Sequence, residues 1–142
     1  MIQKGCSYLG VEISNQYIEY THSEHNLQSI VYGDMRLVDL EQTFDFLFIG
    51  FNSFAHLLNS SDVSLFFDTV KRHMHRKSRF YIDIFMPHVS FLYRKKEQKA
   101  QIMEFFDSNI QEDVIVEETL YYDHETNIIF VNWDYIKTKN II

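Results

Sequence analysis

The sequence predicts an α/β domain whose sheet is mostly parallel and covered by helices, with an antiparallel β-hairpin near the C-terminal end. Two nearly continuous apolar runs, FDFLFI at 44–49 and FYIDIF at 80–85, are typical of strands that are covered on both faces. Segments with helical periodicity lie between the predicted strands. This alternation favours right-handed crossovers within one sheet.

The first half of the chain contains four predicted strands and two predicted helices. In chain order the strands are Ser7–Val11, Ser29–Tyr32, Phe44–Ile49 and Arg79–Phe85. A helix is predicted from Asn15, directly after Ser14. A second helix is predicted over SSDVSLFFDTVKRHMH, because a Ser/Ser/Asp start precedes apolar residues at offsets of three, four and seven.

The character of the chain changes after its only proline, Pro87. Ser90–Asn109 is predicted to be a charged helix, with Ile102, Met103, Phe106 and Ile110 on one side. The runs VIVEETLYY and NIIFVNWDYI flank the polar stretch DHET and predict a hairpin. We therefore expect a partial α/β core over residues 1–88, with residues 89–142 adding a helix and a hairpin to the same domain.

Composition limits the class of protein. With 142 residues, of which 46% are hydrophobic and 16% aromatic, the chain suits one domain with a packed core. No apolar run approaches the roughly 20 residues that span a bilayer, and MIQKGCSY is unlike a signal peptide. We therefore expect a cytoplasmic protein without a membrane partner. The single cysteine, Cys6, excludes a disulfide within the chain.

Charge argues against nucleic acid as a partner, because a net charge of -7 repels a phosphate backbone. The basic stretch KRHMHRKSR at 71–79 runs against this average. Cations are favoured in the last turn of a helix, and this interpretation is preferred over a phosphate-binding patch.

The candidate site lies where the predicted strands end, since ligands of open α/β sheets bind beyond the carboxyl ends of the strands. The residues at these ends are Glu12, then Gly33, Asp34 and Met35, then Gly50, Phe51, Asn52 and Ser53, and finally Met86, Pro87 and His88. Glu12 and Asp34 are 22 residues apart, which leaves room for one helix and a return strand. Glu12 is interpreted either as an acceptor for a ribose diol or as a solvated glutamate near a helix N-terminus.

Four pieces of the sequence, GVEIS, GDM, FDFLFIGFNSFAHL and VKRHMHRKSRFYIDIF, occur in an order and spacing that resemble the class I S-adenosylmethionine-dependent methyltransferases. The resemblance runs from about Lys4 to Pro87. It implies a Rossmann-like methyltransferase sheet and S-adenosylmethionine as the cofactor. The cofactor-binding residues that it implies are Glu12, Ile13, Asp34, Met35, Phe51 and Asn52.

The same resemblance implies a role for each end of this site. Glu12 would hold the ribose hydroxyls, Asp34 would meet the adenine amino group, and Met35 would line the adenine ring. Phe51, Asn52 and Ser53 would lie in the loop that passes beside the methionine part of the cofactor and the substrate. For Met35 and Phe51, simple core packing remains an equal alternative.

No catalytic residue is predicted. A sulfonium is already an activated methyl donor, so the protein mainly has to align donor and acceptor. His56 and His88 are the only plausible local bases, and for each a structural or surface role is favoured. The pairs His22/His25 and His73/His75 lack further ligands at a suitable spacing, so no metal site is predicted.

The glycine-rich turn that this family usually carries after its first strand is missing, because the four glycines are not clustered. The sequence therefore predicts a truncated domain that starts about one strand and one helix late. In the family that strand lies between the strands that here end at Glu12 and Ile49, so its loss leaves them roughly 9 to 10 Å apart. We expect an incomplete sheet and a homodimer that compensates for it.

The predicted function is methyl transfer from S-adenosylmethionine to a small-molecule acceptor by a truncated methyltransferase. The alternative is a non-catalytic remnant or dimeric binding module that retains part of the cofactor site. A nucleotide-binding regulatory domain of flavodoxin-like type is a third possibility. The hairpin corresponds either to the last two strands of the core or to a lid over the substrate pocket, with the lid slightly favoured.

Overall fold

The computed structural model describes residues 6–25 and 29–138. In chain order the elements are β1 (Gly10–Glu12), α1 (Asn15–His25), β2 (Ile30–Tyr32), β3 (Phe44–Ile49), a 3-10 helix (Ser53–His56), α2 (Ser60–Arg72), β4 (Met74–Ile82), α3 (Val89–Leu92), β5 (Lys99–Asp107), β6 (Glu112–Asp123) and β7 (Ile128–Thr138). They belong to two compact units, residues 1–85 and 86–142. Within the described ranges, every helix is too short or too polar to cross a membrane.

The first unit contains two small parallel sheets instead of one continuous sheet. β1 pairs with β2, and β3 pairs with β4. The predicted parallel, helix-flanked but incomplete sheet is therefore confirmed. Three of the four predicted strands have different bounds. β1 begins at Gly10 and includes Glu12, β2 begins at Ile30 instead of Ser29, and β4 covers Met74–Ile82 instead of Arg79–Phe85.

In each of these two-stranded sheets, no described strand covers either edge. Gly10 and Glu12 make the backbone hydrogen bonds to the β2 side, so the N–H and C=O of Val11 point to the opposite side of β1. By the same alternation, Ile49 faces β4 through its carbonyl oxygen, and the backbone groups of Phe46 and Phe48 face away. Among the described residues, β1 and β3 thus each retain one open parallel edge.

Helix α2 covers the β3–β4 sheet and supplies most of the core of the first unit. Asn59 caps it, since its side-chain oxygen accepts the Asp62 N–H at 2.8 Å. Phe66 and Val70 are buried and form a cluster with Ile49. The predicted helix is confirmed, and it ends at Arg72.

The basic stretch at 71–79 is divided between helix and strand. Lys71 and Arg72 lie in the last turn of α2, where cations are favoured. The register of β4 then slips between Met74 and Arg79. Ser78 closes this bulge, because its Oγ accepts the His75 N–H at 2.8 Å and donates to the carbonyl oxygen of Phe44 at 2.6 Å.

The second unit is a three-stranded antiparallel sheet in the order β5–β6–β7. The hairpin of β6 and β7 confirms the predicted antiparallel pair. The helix predicted over Ser90–Asn109 is wrong, since only the short α3 is helical there and Lys99–Asp107 forms β5. A register shift between Gln101 and Met103 interrupts the alternation of side chains, which gave the apolar residues a helix-like spacing.

Candidate functional site

Glu12 is the last residue of β1 and lies next to the start of α1. Its Oε1 accepts the backbone N–H of Ser14 at 2.7 Å, and the Ser14 Oγ accepts the Tyr17 N–H at 3.4 Å. The positive end of the helix dipole favours a carboxylate at this position. Glu12 is half-buried, and its Oε2 has no hydrogen-bond partner among the described residues, so one oxygen is available to a ligand. Ile13, the next residue, is 60% exposed.

The carboxyl ends of β1 and β2 are joined by a backbone hydrogen bond. The Gly33 N–H donates to the carbonyl oxygen of Glu12 at 3.0 Å. A Cβ atom at Gly33 would lie 3.0 Å from Val38 and 3.1 Å from Val11, so the chain fits here only with a residue of minimal size. The structure therefore brings the predicted residue Glu12 close to the segment that starts at Gly33.

Asp34 begins the turn that follows β2, and its carboxylate is held by Arg36. The Asp34 Oδ1 accepts the backbone N–H of Arg36 at 2.9 Å, and the Arg36 guanidinium binds both carboxylate oxygens. These side-chain hydrogen bonds, followed by the backbone one, lower the pKa of Asp34. An adenine amino group would have to share this carboxylate with Arg36.

Arg36 also connects the turn to α2. Its Nη1 donates to the Asp62 Oδ1 at 2.9 Å, and its carbonyl oxygen accepts the Thr69 hydroxyl at 2.7 Å. The hydrogen bond to Asp34, then the one to Asp62, raises the pKa of Arg36 above its usual range. Sequence reasoning missed Arg36 because Asp62 and Thr69 are far from it along the chain.

Met35 is half-buried and packs against the cluster of Ile49, Phe66 and Val70. Its side chain thus takes part in the core of the first unit. The turn after β2 therefore packs against the same cluster that contains Ile49, the last residue of β3.

Phe51 and Asn52 follow β3 in an uncommon backbone conformation. Their φ angles are 51° and 60°, in the left-handed region. The Phe51 side chain is 96% exposed, so it does not belong to the core. The Asn52 Oδ1 accepts the backbone N–H of Phe85, which lies just beyond β4. No hydrogen bond between described residues connects this pair directly to Glu12 or Asp34.

The two histidines considered as bases differ in their surroundings. His56 is exposed at the end of the 3-10 helix. His88 precedes α3, where its Nδ1 accepts the Ser90 N–H at 3.3 Å and lies 3.0 Å from the Ser90 hydroxyl. His88 therefore has a capping role in the second unit.

The second unit carries its own polar cluster and a groove. The Glu118 carboxylate accepts hydrogen bonds from Arg94 at 2.9 Å and from the Trp133 indole at 3.1 Å. A groove of about 520 Å³ is lined by Lys96, Thr119, Leu120, Tyr121, Phe130, Val131 and Asn132. The Lys96 ammonium lies 4.8 Å from the centre of the Tyr121 ring, which stacks on Phe130. The β6–β7 hairpin thus presents aromatic rings beside the Lys96 ammonium, which precedes β5.

Comparison with known structures identifies the fold. The Streptomyces venezuelae protein DesVI superposes with a TM-score of 0.66 at 10% identity, over 91% of this chain and 58% of that one. The sugar N-methyltransferase KedS8 from Streptoalloteichus gives a TM-score of 0.59 at 15% identity, over 91% of this chain and 56% of that one. The glycopeptide N-methyltransferase MtfA with bound S-adenosylhomocysteine gives a TM-score of 0.58 at 13% identity, over 96% of this chain and 59% of that one.

The chain has the fold of the class I methyltransferases. It spans less than two thirds of the length of each of these three proteins. At such low identities the likeness concerns the fold, and the assignment of a cofactor to this chain depends on its own residues. No protein-family model and no curated protein sequence matches the chain.

Proposed function

We propose that this chain is a methyltransferase domain that binds S-adenosylmethionine at the carboxyl ends of β1, β2 and β3 and transfers its methyl group to a small-molecule acceptor. The main support for this proposal is one backbone hydrogen bond. The hydrogen bond from the Gly33 N–H to the Glu12 carbonyl oxygen sets an acidic residue at the end of β1 beside the turn that begins with Asp34. This occurs at the edge where ligands of open α/β sheets bind.

Each candidate residue has a proposed part in holding the cofactor. Glu12 accepts a ribose hydroxyl through its second carboxylate oxygen, and Ile13 borders the ribose with its exposed side chain. Asp34, positioned by Arg36, accepts a hydrogen bond from the adenine amino group. Met35 contributes to the apolar surface under the adenine ring. Phe51 and Asn52 lie at the methionine end. When bound, the cofactor supplies the activated methyl group.

The proposed acceptor is a small molecule that carries an amine. The named functions of KedS8 and MtfA, a sugar N-methyltransferase and a glycopeptide N-methyltransferase, make amino sugars the first acceptors to test. A neutral amine is already nucleophilic, so alignment with the donor matters more than a strong base.

The test is calorimetric titration of the chain with S-adenosylmethionine and S-adenosylhomocysteine. We expect micromolar binding, weakened about 10- to 100-fold in Glu12→Gln because a charge-assisted hydrogen bond is lost. This variant keeps a side-chain oxygen for the Ser14 N–H. Glu19→Gln, an exposed acid on α1, is the matched control and should retain wild-type affinity.

A second candidate function is a dimeric binding module without methyl transfer. The open edges of β1 and β3 favour it, since an incomplete sheet holds an incomplete ligand site. We propose a second copy of the chain as the partner that covers these edges. Absence of binding at millimolar cofactor would support this module and reject the methyltransferase.

A further inference from the structure

The turn after β3 is stabilised by a side chain that replaces a backbone acceptor. The Asp83 N–H donates to the Ile49 carbonyl oxygen at 2.9 Å, as in a regular parallel ladder. The next bond that the β4 side would donate to such a ladder joins the Phe85 N–H to the Phe51 carbonyl oxygen. Instead the chain turns at Phe51, and the Asn52 Oδ1 accepts the Phe85 N–H. Asn52 therefore ties the carboxyl ends of β3 and β4 together beyond the last regular pair.

This tie holds Phe51 in a conformation that phenylalanine rarely adopts. Asparagine tolerates the left-handed region, whereas a bulky residue with φ of 51° is an outlier. Two further backbone bonds fix the turn: the Ser53 N–H donates to Gly50 at 3.1 Å, and the Ala55 N–H donates to Asn52 at 2.8 Å. Strained residues that are fixed by their surroundings are typical of ligand sites.

The Phe51 ring has a free face. It is 96% exposed, the highest value among the exposed large apolar side chains of the described residues. It also stacks on no other aromatic ring of the described part of the chain. An aromatic face attracts cations, and the attraction increases as the cation loses water.

We propose that Asn52 is a positioning residue, which holds the Phe51 ring against the positively charged sulfonium of the bound cofactor. This inference rests on the proposed function, because it assumes a cofactor at the ends of these strands. S-adenosylmethionine and S-adenosylhomocysteine differ only in the methyl group and the charge at sulfur. A contact with the sulfonium should therefore favour the first ligand over the second.

The experiment measures the dissociation constants of both ligands by calorimetry for the wild type and variants. Phe51→Leu should weaken the binding of S-adenosylmethionine about 5- to 30-fold. It should change the affinity for S-adenosylhomocysteine less than about twofold. Phe51→Tyr, which keeps the ring, should retain the preference. Phe48→Leu, a matched change at an exposed phenylalanine of β3, should leave the ratio of the two affinities unaltered.

Two variants of Asn52 test the positioning role. Asn52→Gly allows the left-handed backbone but removes the acceptor for the Phe85 N–H, so it should reproduce the selective loss of Phe51→Leu. Asn52→Asp keeps a side-chain oxygen acceptor and should retain the preference for S-adenosylmethionine over S-adenosylhomocysteine. A loss of preference in Phe51→Leu that Asn52→Gly does not share would overturn the role of Asn52.

The remaining outcomes separate this inference from the proposed function. If the wild type binds both ligands and Phe51→Leu weakens both equally or neither, the sulfonium contact is rejected and the cofactor site stands. If the wild type binds neither ligand at millimolar concentration, the cofactor site itself is rejected, and the inference with it.

Discussion

Asp34 shows how one ion pair determines both the shape of a turn and its response to acid. Its carboxylate accepts from the backbone and the guanidinium of Arg36, which in turn reaches Asp62 at the start of α2. The side-chain hydrogen bond to Arg36 is the main cause of the lowered pKa of Asp34. The turn after β2 is therefore stabilised by the charged form of this residue.

The lowered pKa of Asp34 determines how the stability of the fold depends on pH. Because the pKa of Asp34 is lower in the folded than in the unfolded chain, the pair contributes fully above the unfolded value of about 3.9 and is lost as the pH falls through the folded pKa. We expect the unfolding midpoint in urea to fall more steeply between about pH 5 and 2 for the wild type than for Asp34→Asn. Parallel pH profiles of the two proteins would contradict this assignment.

Among the secondary-structure elements, those with a strong local pattern were predictable. β3 has the predicted bounds because FDFLFI is a continuous apolar run, and α2 begins at the predicted serine. β5 was mistaken for a helix because its bulge at Gln101–Met103 breaks the two-residue period. Its strand conformation depends on pairing with β6, which no local window of sequence contains.

Two valines of the second unit differ strongly in burial, and we expect their truncation to differ in its effect on stability. Val116 in β6 is only 2% exposed, whereas Val131 in β7 is 49% exposed. Val116→Ala should lower the free energy of unfolding by roughly 1 to 3 kcal/mol because it removes buried methyl groups and leaves a cavity. Val131→Ala should lower the free energy of unfolding by less than about 0.5 kcal/mol.

Urea unfolding followed by the fluorescence of Trp133, the only tryptophan, measures both variants within the same sheet. Equal destabilisation by Val116→Ala and Val131→Ala would show that β6 is not the buried centre of this unit.

The candidate site was only partly predictable from the sequence. The ends of the strands identified Glu12, Asp34 and Phe51 as a set, since chain order and strand direction suffice for that. The left-handed turn at Phe51 and the tie from Asn52 to Phe85 had no sequence signal, because the two partners are 33 residues apart. The same holds for Arg36 and Asp62, which are 26 residues apart.

At the scale of the whole molecule, the open edges of β1 and β3 predict self-association. Backbone groups at Val11, Phe46 and Phe48 point away from the partner strands, and unpaired edges favour pairing with another strand. We expect light scattering to give about twice the chain mass of 17.1 kDa.

Phe46→Lys should shift this equilibrium towards the monomer, because a lysine on an edge strand opposes pairing. Leu65→Lys, at an exposed apolar position of helix α2, serves as the control. A monomeric wild type that unfolds in one cooperative transition would exclude the proposed dimer.

The proposed binding of S-adenosylmethionine at the carboxyl ends of β1, β2 and β3 is tested most directly by NMR. The measured quantity is the change of the backbone amide signals on titration with S-adenosylhomocysteine. We predict saturable shifts at Ile13, Met35 and Asn52, with the amides of β5–β7 unaffected. Spectra unchanged at millimolar ligand, or shifts confined to β5–β7, would contradict binding at these strand ends.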